Sequence, residues 1–355
     1  MVSCPGHRCQ PEAPAPTRAL QPLRTRRFAA AAPPRIVCSV DAAAPLSPDL
    51  AARPTVALAL SAGGARGLAH IGVIEELERR GYRIVALAGT SMGALIGGVY
   101  ALGRLGVYRD WVLELRRMDV LRLVDWTFSS DGFIKGEKII ATLRGLVGDA
   151  RIEDLPLAYT AVATDIDRGR EVWLARGGLF DAIRASIAIP TVFRPHRIDG
   201  LRLVDGGVLN PVPVTPLMRE RADRIIAVSV DGPAEPQAVD TQIDEVPAVR
   251  GGRRFGWSAL FGGRGAATRA RAPGALELLL QSMDLMQAKL ARLRLASNEP
   301  DLLIQLPRTM AAAYEFYRAE ELIEHGRQAA AQALDAWPLA PAAADGGAEG
   351  APLRR

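Results

Sequence analysis

The sequence predicts an α/β fold in which a mostly parallel sheet is covered by helices on both faces. Three observations lead there. Of 355 residues 49% are hydrophobic, drawn chiefly from Ala, Leu, Val and Ile, and only 5% are aromatic, which suits buried parallel strands and packed helices better than a β-sandwich. Short apolar runs alternate with amphipathic stretches, and glycine-rich turns stand where a run gives way to an amphipathic stretch.

Taken in order, residues 1–54 are rich in Pro, Ala and Arg without apolar periodicity and predict a disordered leader. They lack the apolar core of about 7–15 residues that a secretory signal needs. An Arg-rich, acid-poor organellar transit peptide and an over-extended start both fit. Thr55–Ser61 reads as a buried strand, followed by a glycine-rich turn and a helix from Arg66 to Arg80 ended by Gly81 at C′. Ile84–Gly89 reads as a second strand, leading through Thr90–Ser91 into a helix over Met92–Leu102. Further strands are expected at Leu157–Thr164, Arg170–Leu174, Leu201–Val204, Arg224–Val230 and Leu302–Leu306, and helices at Lys138–Leu146, Phe180–Ile187, Leu276–Leu295 and Tyr317–Leu334. The expected organisation is a leader (1–54), one folded domain (55–335) with an insertion at 232–275, and a disordered tail (336–355).

Ile84–Gly103 holds 20 consecutive residues without a charge, with Gly89, Gly93 and Gly97 in GxxxG spacing, about the length of a membrane span. The span is rejected because Thr90–Ser91 interrupts the apolar pattern and an equivalent strand, turn and helix precede it.

The net charge is +5, but residues 1–54 hold seven Arg against Glu12, Asp41 and Asp49, so the remainder is nearly neutral. A nucleic-acid partner is therefore not expected. All three cysteines (Cys4, Cys9, Cys38) lie in the leader, and the folded part suits a reducing, cytoplasmic compartment. An organelle is the alternative if residues 1–54 are a transit peptide.

Gly89-Thr90-Ser91-Met92-Gly93 matches G-x-S-x-G between a strand and a helix, the context of a nucleophile elbow. Gly89 and Gly93 flank the turn where side chains would collide, and the helix opening at Met92 aims its N–H groups and positive dipole end at the serine. Ala62-Gly63-Gly64-Ala65-Arg66-Gly67 forms a second junction whose bunched N–H groups can hold an anion. A dinucleotide site would need Gly at position 62 and an acid ending the second strand, and a phosphate loop would need Gly-Lys-Ser/Thr. Neither is present, so an oxyanion hole beside a serine nucleophile fits both loops, and no cofactor or metal is expected.

A base is harder to find. His7 is in the leader, His70 lies one turn into a helix and reads as packing, His196 precedes the candidate acid, and His325 before Gly326 reads as a helix-dipole partner. Asp205-Gly206-Gly207 follows a short strand, and its carboxylate could act without histidine, although a plain Asp-Gly turn is the bland reading.

Ala-Gly-Gly-Ala-Arg-Gly-Leu-Ala-His (62–70), Gly-Thr-Ser-Met-Gly (89–93), Gly-Phe-Ile-Lys-Gly (132–136), Ala-Ser-Ile-Ala-Ile-Pro (185–190) and Val-Asp-Gly-Gly-Val-Leu-Asn-Pro-Val-Pro (204–213) together resemble the bacterial branch of the patatin-like phospholipases. The resemblance implies a three-layer α/β/α fold and hydrolysis of lipid acyl esters by a Ser–Asp dyad. Ser91 would be the nucleophile and Asp205 the base, with Gly63, Gly64 and Arg66 supplying oxyanion-hole amides and Gly67, Gly89, Gly93, Gly206 and Gly207 shaping the loops. The family often has Gly where this chain has Ala62. A non-catalytic lipid- or membrane-binding protein of the same fold is the alternative.

Between Val246 and Leu276 stand six arginines and no acid, interleaved with aromatics. Arg253, Arg254, Trp257 and Phe261 are accordingly expected to make peripheral contact with anionic membrane at its inner face.

Overall fold

The computed structural model describes residues 53–119, 136–233 and 275–337. Strands β1 (Thr55–Leu60), β2 (Arg83–Thr90), β3 (Ala158–Asp165), β4 (Arg170–Leu174), β5 (His196–Ile198), β6 (Leu201–Asp205), β7 (Arg224–Gly232) and β8 (Leu302–Pro307) form one sheet. Its path runs β5-β6-β3-β2-β1-β7-β8, with β4 paired to β3. The five strands from β3 to β8 along that path are mutually parallel, and the β3–β4, β3–β6 and β5–β6 pairs are antiparallel.

The helices are α1 (Ala69–Arg79), α2 (Met92–Ala101), α3 (Leu105–Leu113), α4 (Glu137–Val147), α5 (Leu179–Ser186), α6 (Ala275–Ser297) and α7 (Ala319–Ala336). They cover both faces, giving three α/β/α layers. Strand alternation divides the core unequally. Val56, Leu58, Leu60, Ile226, Val228 and Val230 point into a large core with α1, α2, α5 and α7, whereas Ala57, Ala59, Ala86, Ala88 and Ala227 face Val212, Val214, Leu217, Ala291 and Leu295. Alanines on that second face let α6 and the irregular segment 210–219 lie close to the sheet. α1 and α7 also approach closely: a Cβ on Gly72 would lie 1.9 Å from the Ile323 carbonyl oxygen, and one on Gly326 1.9 Å from that of Ala69.

Several boundaries differ from expectation. The stretch expected as one helix from Arg66 begins as a 3-10 turn over Gly64–Leu68 and becomes α-helical at Ala69. Gly81 does close α1, with Gly81 N–H on Glu78 O and Tyr82 N–H on Leu77 O, the paired bonds of a Schellman motif. β7 continues through Gly232 and α7 through Ala336, each past the expected limit. His325 lies within α7 rather than at its end, so the helix-dipole role expected for it does not hold. The uncharged run 84–103 is β2, the elbow and α2, and among the described residues no helix is long and apolar enough to cross a membrane.

Candidate active site

At the end of β2 the chain turns at Ser91 with φ 55° and ψ −118°, a conformation that residues with a side chain avoid. Packing imposes it. A Cβ on Gly89 would lie 2.4 Å from the Gly93 carbonyl carbon, and one on Gly93 2.2 Å from the Leu60 carbonyl oxygen. The turn is pinned from the side by α5: Ser91 N–H donates to Ser186 Oγ at 2.9 Å, and the Ser186 hydroxyl donates to Val162 O at 2.6 Å. α2 starts at Met92, so its dipole favours negative charge at Ser91.

Asp205 reaches the same point from the other direction. One edge of β3 carries β4 along Ala161–Asp165. The opposite edge is shared: β2 pairs up to Thr90↔Val162, and β6 takes over from Ala163↔Asp205. Parallel β2 and antiparallel β6 therefore meet end to end on neighbouring β3 residues, and the Ser91 side chain lies close enough to the Asp205 carboxylate to draw its pKa down. Gly207 N–H donates to Asp205 Oδ1 at 2.7 Å. Asp205 is 2% exposed, and burial pushes its pKa up to about 6 against the opposing pull of the Ser91 and Gly207 hydrogen bonds. Such a carboxylate is a far better proton acceptor near neutrality than a solvated one.

The glycine-rich loop packs against the elbow: a Cβ on Gly67 would lie 2.4 Å from Met92 Cγ. Gly63 and Gly64 adopt φ of 156° and 56°, which glycine tolerates, and a Cβ on Gly63 would lie 2.1 Å from Val230 Cγ2. Ala62 is not among the residues with positive φ, so alanine is no obstacle there. Ala62 N–H donates to Pro211 O at 2.9 Å and Ala65 N–H to Ala313 O at 2.8 Å. Among the described residues the N–H of Gly63 finds no backbone acceptor, and Gly64 and Arg66 open the 3-10 turn that follows it.

The model of the patatin-like phospholipase family matches residues 58–218. The chain is 40% identical over 334 residues to an NTE family protein of Mycobacterium bovis, covering 81% of this chain and 93% of that protein. The chain belongs to the patatin-like phospholipase family. This patatin-like chain is also 30% identical over 294 residues to a longer NTE family protein of Mycobacterium tuberculosis, of which it covers 47%. It is 33% identical over 183 residues to a lysophospholipase of Yarrowia lipolytica, covering 49% of this chain and 12% of that protein. Membership places it among the lipid hydrolases.

The patatin-like fold thus brings Ser91, Asp205 and the Gly63–Gly67 loop together. His70 is fully buried, and its Nε2 donates to Ser61 O at 2.9 Å while burial lowers its pKa to about 4. His196 lies on β5, 3.6 Å from Asp181. Among the described residues, no hydrogen bond joins His70, His196 or His325 to Ser91 or Asp205. Arg253, Arg254, Trp257 and Phe261, and most of the motif 132–136, lie outside the described residues.

Two features escaped sequence reasoning. Ser186 stood inside the quoted 185–190 motif, yet its role depends on β3 lying beneath it. The second is the Arg66 side chain, which is buried and bridges Asp231 on β7, at 3.0 Å, and Asp284 on α6, and donates to Arg308 O at 3.1 Å. Burial raises the Asp231 pKa to about 6 despite the nearby guanidinium. These partners lie 165 and 218 residues away in the chain, and nothing local in the sequence announces them.

Proposed function

We propose that this patatin-like chain is a serine acyl hydrolase of the phospholipase A, lysophospholipase or esterase type, cleaving lipid acyl esters through Ser91 and Asp205. The observation that carries the reading is the buried Asp205 carboxylate beside the Ser91 side chain at a strained elbow and a helix N-terminus.

Asp205 takes the hydroxyl proton as Ser91 Oγ bonds to the acyl carbon, and the N–H groups of Gly63, Gly64 and Arg66 receive the oxyanion. Collapse breaks the ester C–O bond, and the leaving alcohol takes the proton back from Asp205. Water then repeats the sequence on the acyl-enzyme, releasing fatty acid and restoring Ser91. Burial serves both halves of this cycle, because a base with pKa near 6 can accept a proton at neutral pH and return it.

The test is incubation with defined phospholipids, lysophospholipids and neutral esters, followed by mass spectrometry of the products. Wild type should release fatty acid from at least one class and Ser91→Ala from none. A non-catalytic lipid-binding protein would release none in either form.

A further inference from the structure

The patatin-like chain carries a charged recess near the Arg66 bridge. Lys289 and Arg292 on α6, with Arg308 in the turn after β8, line a cavity of about 230 Å³ together with Pro233, Leu285 and Ala288. Leu285, Ala288, Lys289 and Arg292 follow the i, i+3, i+4, i+7 spacing that puts residues on one helix face. Arg66, Arg109, Arg294, Arg318 and Arg327 each meet a carboxylate. Among the described residues Lys289 and Arg292 meet none, and the acid that Arg308 senses, Asp231, is already held by Arg66. Three cations thus line one recess.

The surroundings indicate what kind of anion fits. Leu285, Met286 and Leu293 on the same helix are 48%, 62% and 67% exposed, so the cations stand among aliphatic side chains open to solvent. A free inorganic anion gains nothing from those side chains, whereas an amphiphile gains from both. The recess also borders the elements of the proposed acyl-transfer site. Arg308 O accepts from Arg66, Pro233 follows the strand that bears Asp231, and Gln287 lies against Gly207, where a Cβ would come within 2.9 Å of its Nε2.

We propose that the recess between α6 and the turn after β8 binds the phosphate of a lipid headgroup, with Arg292 and Arg308 offering forked N–H donors and Lys289 a point charge. The proposal rests on the acyl-hydrolase reading for its choice of a lipid, but its test needs no turnover. Calorimetric titration of the Ser91→Ala protein uses three probes: a soluble short-chain phosphatidate, the diacylglycerol with the same acyl chains, and inorganic phosphate. The phosphatidate should bind at least tenfold more tightly than either of the others. Lys289→Gln with Arg292→Gln should weaken phosphatidate binding at least tenfold while leaving diacylglycerol binding unchanged, which also shows that the variant is folded. Inorganic phosphate binding as tightly as phosphatidate would make the site one for free anions and overturn the lipid assignment. Phosphatidate affinity that is unmeasurable in the parent protein, or unchanged in the double variant, would overturn the site. Failure of lipid hydrolysis by wild type would instead count against the acyl-hydrolase reading alone.

Discussion

Asp205 gains its basicity from the place where β6 ends, and that place has consequences for pH. A folded pKa near 6 against 3.8 for the unfolded chain means that Asp205 stabilises the fold below the unfolded value. That contribution is lost as pH rises through about 6, a swing of about 3 kcal/mol. Activity runs the other way, because the base must be ionised. kcat/KM for a soluble ester should therefore rise with pH through an apparent pKa near 6, and a flat profile between pH 5 and 8 would exclude Asp205 as the base. Asp205→Asn should lower kcat about a thousandfold or more. In thermal melts its midpoint relative to wild type should be more favourable at pH 8 than at pH 4.5.

Arg66 answers to a different residue-scale argument. Its guanidinium fork satisfies two acids from different elements. Arg66→Lys keeps the charge but loses the fork. It should lower kcat at least tenfold with little change in KM, whereas Arg66→Ala leaves two carboxylates without their cation and should destabilise the fold by about 3–5 kcal/mol in denaturant titration.

At the scale of elements, the crossing of α1 and α7 depends on glycine at the contact. Gly326→Ala places a methyl 1.9 Å from the Ala69 carbonyl oxygen, and such overpacking costs typically about 1–3 kcal/mol. Chemical denaturation should read that loss, with the reactivity of Ser91 preserved in the folded fraction. Elements with strong local signals were legible in the sequence. β1, β2 and α2 announced themselves through apolar runs broken by glycine. α3 was missed because it buries only Tyr108 and Val112 among its nine residues, too thin a stripe to stand out after the uncharged run. β5 has three residues, and its pairing with β6 is a tertiary fact. The 3-10 residues Arg66–Leu68 read as helix because their composition continues smoothly into α1. The difference lies in the backbone of Gly63 and Gly64.

For the whole molecule, the legible part of the site is the part built at strand ends. Ser91 and Asp205 could be named from motifs because an elbow and an Asp-Gly-Gly turn each need special residues locally. What joins them, the handover of one β3 edge from β2 to β6, has no signature in either motif. The same holds for the bridge from Arg66 to β7 and α6. On the proposed reading the site works without histidine, since β3 places β6 and its Asp205 beside the end of β2. His70→Gln, His196→Gln and His325→Gln should each change kcat less than about tenfold, and a folded histidine variant as inactive as Asp205→Asn would restore a triad. The most direct measurement is labelling of the intact chain with a fluorophosphonate, followed by peptide mapping. A single adduct on Ser91, formed faster as pH rises through about 6 and absent in Ser91→Ala, is the predicted result. Adduct on another residue, or undiminished ester hydrolysis by pure Ser91→Ala protein, would contradict it.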